Sequence, residues 1–238
     1  MKMTTKRSHA IWMLAGLLVA SAPAWAQSRG TYERDGAFRL HVGAFLPEGD
    51  SEYWDDKFED FTGSIDDYEN VSFGADYLLS LNRNMGLLFS GNYYQGDQTH
   101  AYRDFVDNFG DDIRHDGSLE ITSLTAGLQF NFLGPNAPII PYVGAGGGIY
   151  LWRLEENGDF IDFGSANDEI FTALLESEGE AFGYYLQAGL EAPITPRMSV
   201  FAEARWTKVD DSLDGDFASF GDIDLSGREF MAGISWNL

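Results

Sequence analysis

Few side chains in this chain offer chemistry. It has four histidines and no cysteine, so thiolate nucleophiles, disulfides and thiolate metal sites are excluded. His41 is followed by Val42 and Gly43, with no neighbouring serine to serve as a nucleophile. His100 and His115 stand in a stretch dense in carboxylates. Residues distant in sequence can assemble a catalytic triad, but no esterase or acyl-transferase signature surrounds any of the three. The reading is therefore a solvated or salt-bridged imidazole, with no catalytic residue and no cofactor. A second set is ionisable and sits at alternate positions of apolar runs: Arg39, His41, Asp76, Glu191, Glu203, Arg205 and Glu229. They could line an ion path, or pair as a plug, since buried charges are tolerated only when paired. We take them as interior ion-pair candidates. A third set is the acidic run from Asp210 to Asp216. Hard cations favour carboxylate oxygen, but the spacing is not that of a twelve-residue EF-hand loop. No dedicated metal site is expected, while divalent cations at the acidic stretches stay open as a partner class.

The elements that carry these residues alternate with a period of two. Eight such runs lie near 37–46, 71–81, 86–95, 119–132, 141–153, 181–192, 198–208 and 225–238. One face of each is apolar, as in Leu124, Ala126, Leu128, Phe130 and Phe132, or Phe230, Ala232, Ile234, Trp236 and Leu238. This periodicity predicts β-strands. Connections after the second, fourth and sixth runs are short and contain Asn, Gly and Pro, which suit tight turns. Those after the first, third, fifth and seventh are long, near 47–70, 96–118, 154–180 and 209–224, and hold 31 of the 38 acidic residues. Short turns at one end and long loops at the other are what an even-stranded membrane barrel requires. A ten-residue strand, tilted, rises ~26 Å and matches the ~25 Å apolar band. The expected fold is all-β: an eight-stranded antiparallel up-and-down transmembrane β-barrel with acidic extracellular loops.

A soluble barrel also alternates, with its oily face inward. The second face decides between them. A water-facing wall carries many Lys and Glu, yet beyond residue 26 the only lysines are Lys57 and Lys208. The polar face is Gly, Ser, Thr, Asn and Gln with few charges, which suits a crowded interior. Leu128, Leu186, Ala202 and Ile234 are assigned to lipid, and Gln129, Gln187, Glu203 and Ser235 to the interior. Tyr93, Trp206 and Trp236 read as interfacial girdle residues. The loop aromatics, among them Tyr53, Trp54, Phe58, Phe61 and Phe217, read as loop packing.

Residues 1–26 read as a cleaved signal peptide: Lys2, Lys6 and Arg7, then an apolar core from Ile11 to Ala20, then Ala24-Trp25-Ala26. The core is too short to span a membrane, which takes ~20 residues. Residues 27–238 form the barrel domain. Losing the three basic residues takes the formal charge from −23 to −26, which argues against nucleic-acid binding.

Gly233, Trp236 and Leu238 are spaced as Gly-x-x-aromatic-x-apolar at the carboxyl end. This resembles the closing strand of bacterial outer-membrane barrels, whose terminal pattern is read by the assembly machinery; Leu238 stands where Phe is usual. With the Gly-rich run at Tyr142–Gly146 and the run Phe201–Arg205, the chain resembles the small outer-membrane barrels of the OmpA/OmpX type. The resemblance implies a Gram-negative outer-membrane location and a structural or surface-interaction role without catalysis. It also implies outer-membrane lipid, lipopolysaccharide and the barrel assembly machinery as partners, and a monomeric state. A narrow porin-like channel and a lipid-modifying enzyme are the alternatives.

Overall fold

Alternation becomes a closed sheet in the computed structural model, which describes residues 35–165 and 169–238. The signal-peptide segment lies outside the described residues. Eight long strands form the ring: β1 (Gly36–Pro47), β2 (Asn70–Ser80), β3 (Met85–Val106), β4 (Asp112–Asn131), β5 (Ile140–Asp162), β6 (Glu169–Thr195), β7 (Met198–Lys208) and β10 (Gly227–Asn237). Each pairs antiparallel with its neighbours, and β1 closes on β10 from Ala37 opposite Asn237 to Pro47 opposite Gly227. Closure leaves the ring no free edge within the hydrocarbon, where an unpaired backbone group would cost several kcal/mol, of order ~4. Two short strands, β8 (Asp210–Ser212) and β9 (Asp222–Asp224), pair in the last loop.

The outward rows define a band. Phe38, Leu40 and Val42 on β1, Leu124 and Leu128 on β4, and Leu186 and Leu190 on β6 are all exposed. Polar residues end the band above, at Gln95, Glu120, Arg153, Glu180, Lys208 and Arg228. Below it, Asn82 Oδ1 accepts from the amides of Asn84 and Met85, and Thr195 Oγ1 accepts from Arg197 and Met198. These side-chain turns close the hairpins within a few residues.

The expectation that 96–118 and 154–180 are loops is corrected. β3 to β6 run 22, 20, 23 and 27 residues, against 11 or 12 for β1, β2, β7 and β10. Their upper parts form a four-stranded sheet projecting roughly 30 Å above the band, from the rise per residue and the usual tilt. Alternation persists there with its chemistry inverted. Asp97, Thr99, Asp116 and Ser118 face out, while Tyr102, Ile113, His115 and Leu119 face in.

Against that inner face lies α1 (Glu52–Asp60), which buries Tyr53, Trp54 and Lys57. A short turn of helix at Ile65–Tyr68, closed by reciprocal Ser64 and Asp67 bonds, delivers Tyr68 to the same place. Tyr53, Trp54 and Tyr68, together with Phe45, Tyr94, Ile121, Trp152, Leu154, Phe217 and Ile223, make the main apolar core, which fills the outer mouth of the barrel. The loop aromatics pack as expected: Trp54 stacks on Phe58 at 5.8 Å, and Tyr53 meets Phe217 edge-on at 6.0 Å.

Candidate functional site

The lumen carries two polar constellations, one within the band and one above it. The first gathers all seven interior candidates. Arg39, fully buried on β1, donates to Glu191 Oε2 at 3.0 Å and to Gln129 Oε1 at 3.1 Å. Its guanidinium lies 5.1 Å from the Phe201 ring centroid. Arg205 donates to Glu203 Oε1 at 3.0 Å and to Gln187 at 3.3 Å, with its guanidinium 4.8 Å from the Tyr185 ring. Tyr142 OH donates to the second oxygen of Glu203 at 2.9 Å.

His41 bridges the remaining acids. Its Nδ1 is 3.4 Å from Asp76 Oδ2, and its Nε2 is 2.9 Å from Asn92 Oδ1. The Asn92 amide nitrogen donates to both oxygens of Glu229, which leaves its oxygen to accept, so His41 Nε2 is the donor. Ser72 Oγ completes Glu229. Two arginines thus pair with two glutamates, a histidine faces an aspartate, and Glu229 is held by neutral donors. The β2 position opposite His41 is Gly74, where a Cβ would collide with the His41 ring and Asn92. Gly74 is a site requirement that sequence reading overlooked.

The second constellation was not foreseen. Lys57 of α1 donates to Glu156 of β5 and, at 3.2 Å, to Tyr68 OH. Tyr53 OH donates to Glu156 Oε1 at 2.9 Å. His115 Nε2 lies 3.4 Å from Glu156 Oε2. His100 Nδ1 is 2.9 Å from the Thr62 carbonyl, which can only accept, so Nε2 receives the Tyr68 hydroxyl proton at 2.9 Å. The two imidazole centroids are 5.4 Å apart. Of the two expected settings, solvated or salt-bridged, the structure excludes the first for these rings: both are buried, and His115 faces a carboxylate while His100 is held by Tyr68 and Thr62. Continuation of β3 and β4 turns their alternate residues inward beneath α1. Among the described residues, neither ring hydrogen-bonds to a serine or threonine hydroxyl.

Burial sets the electrostatics of this upper cluster. It pushes Lys57 below its ordinary value, with Glu156 only partly offsetting the shift. It pushes His115 down to about 4, with Glu156 opposing the shift and Lys57 and His100 adding to it. His100 is lowered by burial and then by Lys57. Burial alone would raise the Glu156 carboxyl, but Lys57, His115 and the Tyr53 hydroxyl hold it below its usual range. Lys57 stands in an acidic run among aromatics, and Glu156 continues the inward row of Trp152 and Leu154. Those were the available signals.

The other assigned residues fall into place by parity. Leu128, Leu186, Ala202 and Ile234 point outward, whereas Gln129, Gln187, Glu203 and Ser235 are buried inside. At the closing strand, Trp236 stacks on Phe38 at 6.4 Å, and the Leu238 amide donates to Gly36. A Cβ at Gly233 would collide with the Leu40 carbonyl and the Phe201 ring. In the acidic loop, Asp211 accepts from Trp152 Nε1 at 2.7 Å, Asp216 from the Glu176 amide at 3.1 Å, and Asp210 pairs with Lys208 at 2.8 Å. Those carboxylates serve loop packing. Among the described residues, no three histidines or carboxylates converge as a metal site would need.

Residues 13–237 match the family described as outer membrane protein beta-barrel domain. The chain belongs to that family. It is an outer-membrane β-barrel, as its band, turns and closure require. No curated protein matches the chain. Among solved structures it is similar to OprG of Pseudomonas aeruginosa, with 12% identity, a TM-score of 0.53 and coverage of 87% of this chain and 97% of that one. Neisserial surface protein A is similar at 13% identity and a TM-score of 0.49, covering 85% and 96% of the two chains. For outer membrane protein W of E. coli the values are 16%, 0.41, and 87% and 100%. These likenesses are likenesses of fold.

Proposed function

We propose that this protein is a structural and surface-interaction barrel without catalytic activity. It sits as a monomer in outer-membrane lipid and lipopolysaccharide and is inserted by the barrel assembly machinery. The projecting sheet carries the reading. Above the band β6 loses β7 as a neighbour, since their pairing stops at Tyr184 opposite Lys208. The loop at 214–216 then covers β6 near Glu176 and Ser177, and beyond it no strand among the described residues pairs with that edge. The Glu176 amide faces the covering loop, and β6 pairs with β5 without a register shift, so Ile170, Thr172 and Leu174 turn their amides and carbonyls to the open edge. An open edge is a template for strand addition. It is flanked by the exposed side chains of Ile170, Phe171 and Leu174 and by the carboxylates of Glu169, Glu176 and Glu178. An extended partner segment that alternates apolar and basic residues matches that chemistry. Against the channel reading stand the side-chain pairs packed across the lumen and the apolar core at its mouth.

A short peptide alternating valine and lysine, flowed over the protein in lipid nanodiscs, tests this. Binding should weaken with salt and vanish in Thr172→Pro, which removes one edge donor while sparing the β5 ladder. No binding by the unaltered protein, together with stepwise conductance in planar bilayers, would move the assignment to a narrow channel.

A further inference from the structure

Four elements meet at one buried point: α1 through Lys57 and Tyr53, β3 through His100, β4 through His115 and β5 through Glu156, with Tyr68 from the short helical turn beside them. We propose that this cluster is an acid-sensitive latch, in which protonation of the two imidazoles and of Glu156 releases α1 from the projecting sheet and uncovers the aromatic face beneath it. The inference deepens the surface-interaction reading by assigning a regulation to the same sheet.

Glu156 is the anion that joins α1 to the sheet. It takes the ammonium of Lys57 and the hydroxyl of Tyr53, both from α1, and its other oxygen faces His115. Side-chain exposures at this point are 3% for Lys57, 6% for Glu156 and 0% for His115. At neutral pH one ammonium faces one carboxylate, and both imidazoles are neutral. Proton uptake would place up to three cations around one carboxylate in a buried site, where like charges repel strongly. The other titratable groups near the cluster are Asp60 at the end of α1, Asp67 on the helical turn, Tyr94, Asp97 and Tyr102 on β3, and Asp116 on β4. Tyr94 and Tyr102 have raised values and stay neutral throughout. The aspartates are exposed, at the end of α1, on the turn and on the outer strand faces, outside the buried point.

The sign follows from linkage. His115 takes up its proton at about 4 in the closed form, below its ordinary 6.5. The open form therefore binds more protons, and the latch loses stability as pH falls from 6.5 toward 4. Glu156, held below its ordinary value, acts in the same direction at the acid end. Opening would expose Phe61 and Tyr102, which now meet His115 edge-on at 4.6 and 6.5 Å between ring centroids, and Phe160, which stacks on it at 4.9 Å.

The test is amide hydrogen exchange on the full chain in nanodiscs, with no partner present, corrected for the pH dependence of intrinsic exchange. Its failure would therefore leave the peptide-binding result untouched. Protection of the Asp55 and Phe61 amides, which bond to Ser51 and Lys57, should fall about tenfold or more between pH 7.5 and 5, given the displacement of His115. Amides of the β7 wall should not change. His115→Phe replaces a ring whose nitrogens make no hydrogen bond and should remove most of the fall. Undiminished protection of α1 at pH 5 would overturn the proposal, as would a fall of equal size in His115→Phe. Should that variant fail to fold, an NMR titration of the His115 ring in the unaltered protein decides. A midpoint coincident with loss of α1 protection supports the latch; a midpoint reached with α1 still protected overturns it.

Discussion

Lys57 and Glu156 set the strongest quantitative test of the packing above the membrane. Lys57→Met keeps the stem and removes the charge, leaving the Glu156 carboxylate with the Tyr53 hydroxyl and a neutral His115. Glu156→Leu strands the ammonium with Tyr68 alone. Breaking one partner of a buried pair costs ~3–5 kcal/mol, because the remaining charge is uncompensated. The lower end applies to Lys57→Met, since His115 can take up a proton and restore a pair with Glu156. Removing both partners replaces a buried pair by apolar side chains and should cost little, ~1 kcal/mol or less. The coupling in the cycle should then be at least ~3 kcal/mol, well above the ~0.5 kcal/mol expected of independent sites. Hydrogen exchange at the Asp55 and Phe61 amides reads it directly. Each single variant should lose about a hundredfold in protection, and the double variant should regain most of it. Single losses below ~1 kcal/mol, or a double loss equal to their sum, would refute a desolvated pair holding α1.

Three further outcomes follow from the wall and its closure. Ala202→Arg places a charge outward near the midplane and should lower folding stability in bilayers by ~2–4 kcal/mol, measured by denaturant titration in lipid vesicles. Arg39→Met removes the buried cation that pairs with Glu191 and should cost ~3 kcal/mol in the same assay, with partial recovery in Arg39→Met with Glu191→Leu. Deleting Trp236 to Leu238 removes the stacking on Phe38 and the last backbone bond to Gly36. The truncated chain should fail to reach the cell surface and be degraded, as whole-cell antibody labelling and immunoblotting would show; normal surface exposure would dismiss the terminal pattern as an assembly signal.

The barrel was legible because lipid imposes one rule on every strand: apolar outward, at every second residue. Runs such as Leu124 to Phe132 obey it over a full crossing, so strand existence, face and turn placement follow from sequence. Above the band the rule reverses. Water takes the outer face of β3 to β6, and apolar groups retreat beneath α1. Asp97, Asp116, Glu155 and Glu178 then read as solvated loop, and Gly96, Gly117 and Gly158 interrupt the inward rows. The interior candidates could be named from parity, yet their partners could not. The pairing of Arg39 with Glu191 joins β1 to β6, and His41 reaches Asp76 on β2 and Asn92 on β3, a choice among partners that alternation alone does not make. The upper cluster was illegible for the same reason: its members lie at 53, 57, 68, 100, 115 and 156, and only the projecting sheet brings them together.

The most direct test of the barrel and its orientation uses the absence of cysteine from the chain. Single cysteines placed at 128 and 186, at 129 and 187, and at the hairpin tips 109 and 163 can be labelled one at a time. Labels at 128 and 186 should be quenched by lipid-soluble quenchers, and those at 129 and 187 should be shielded. Cysteines at 109 and 163 should react with a membrane-impermeant reagent on intact cells. Shielded labels at 128 and 186 with quenched labels at 129 and 187 would reverse the strand faces, and unreactive tips on intact cells would place the projecting sheet on the wrong side of the membrane.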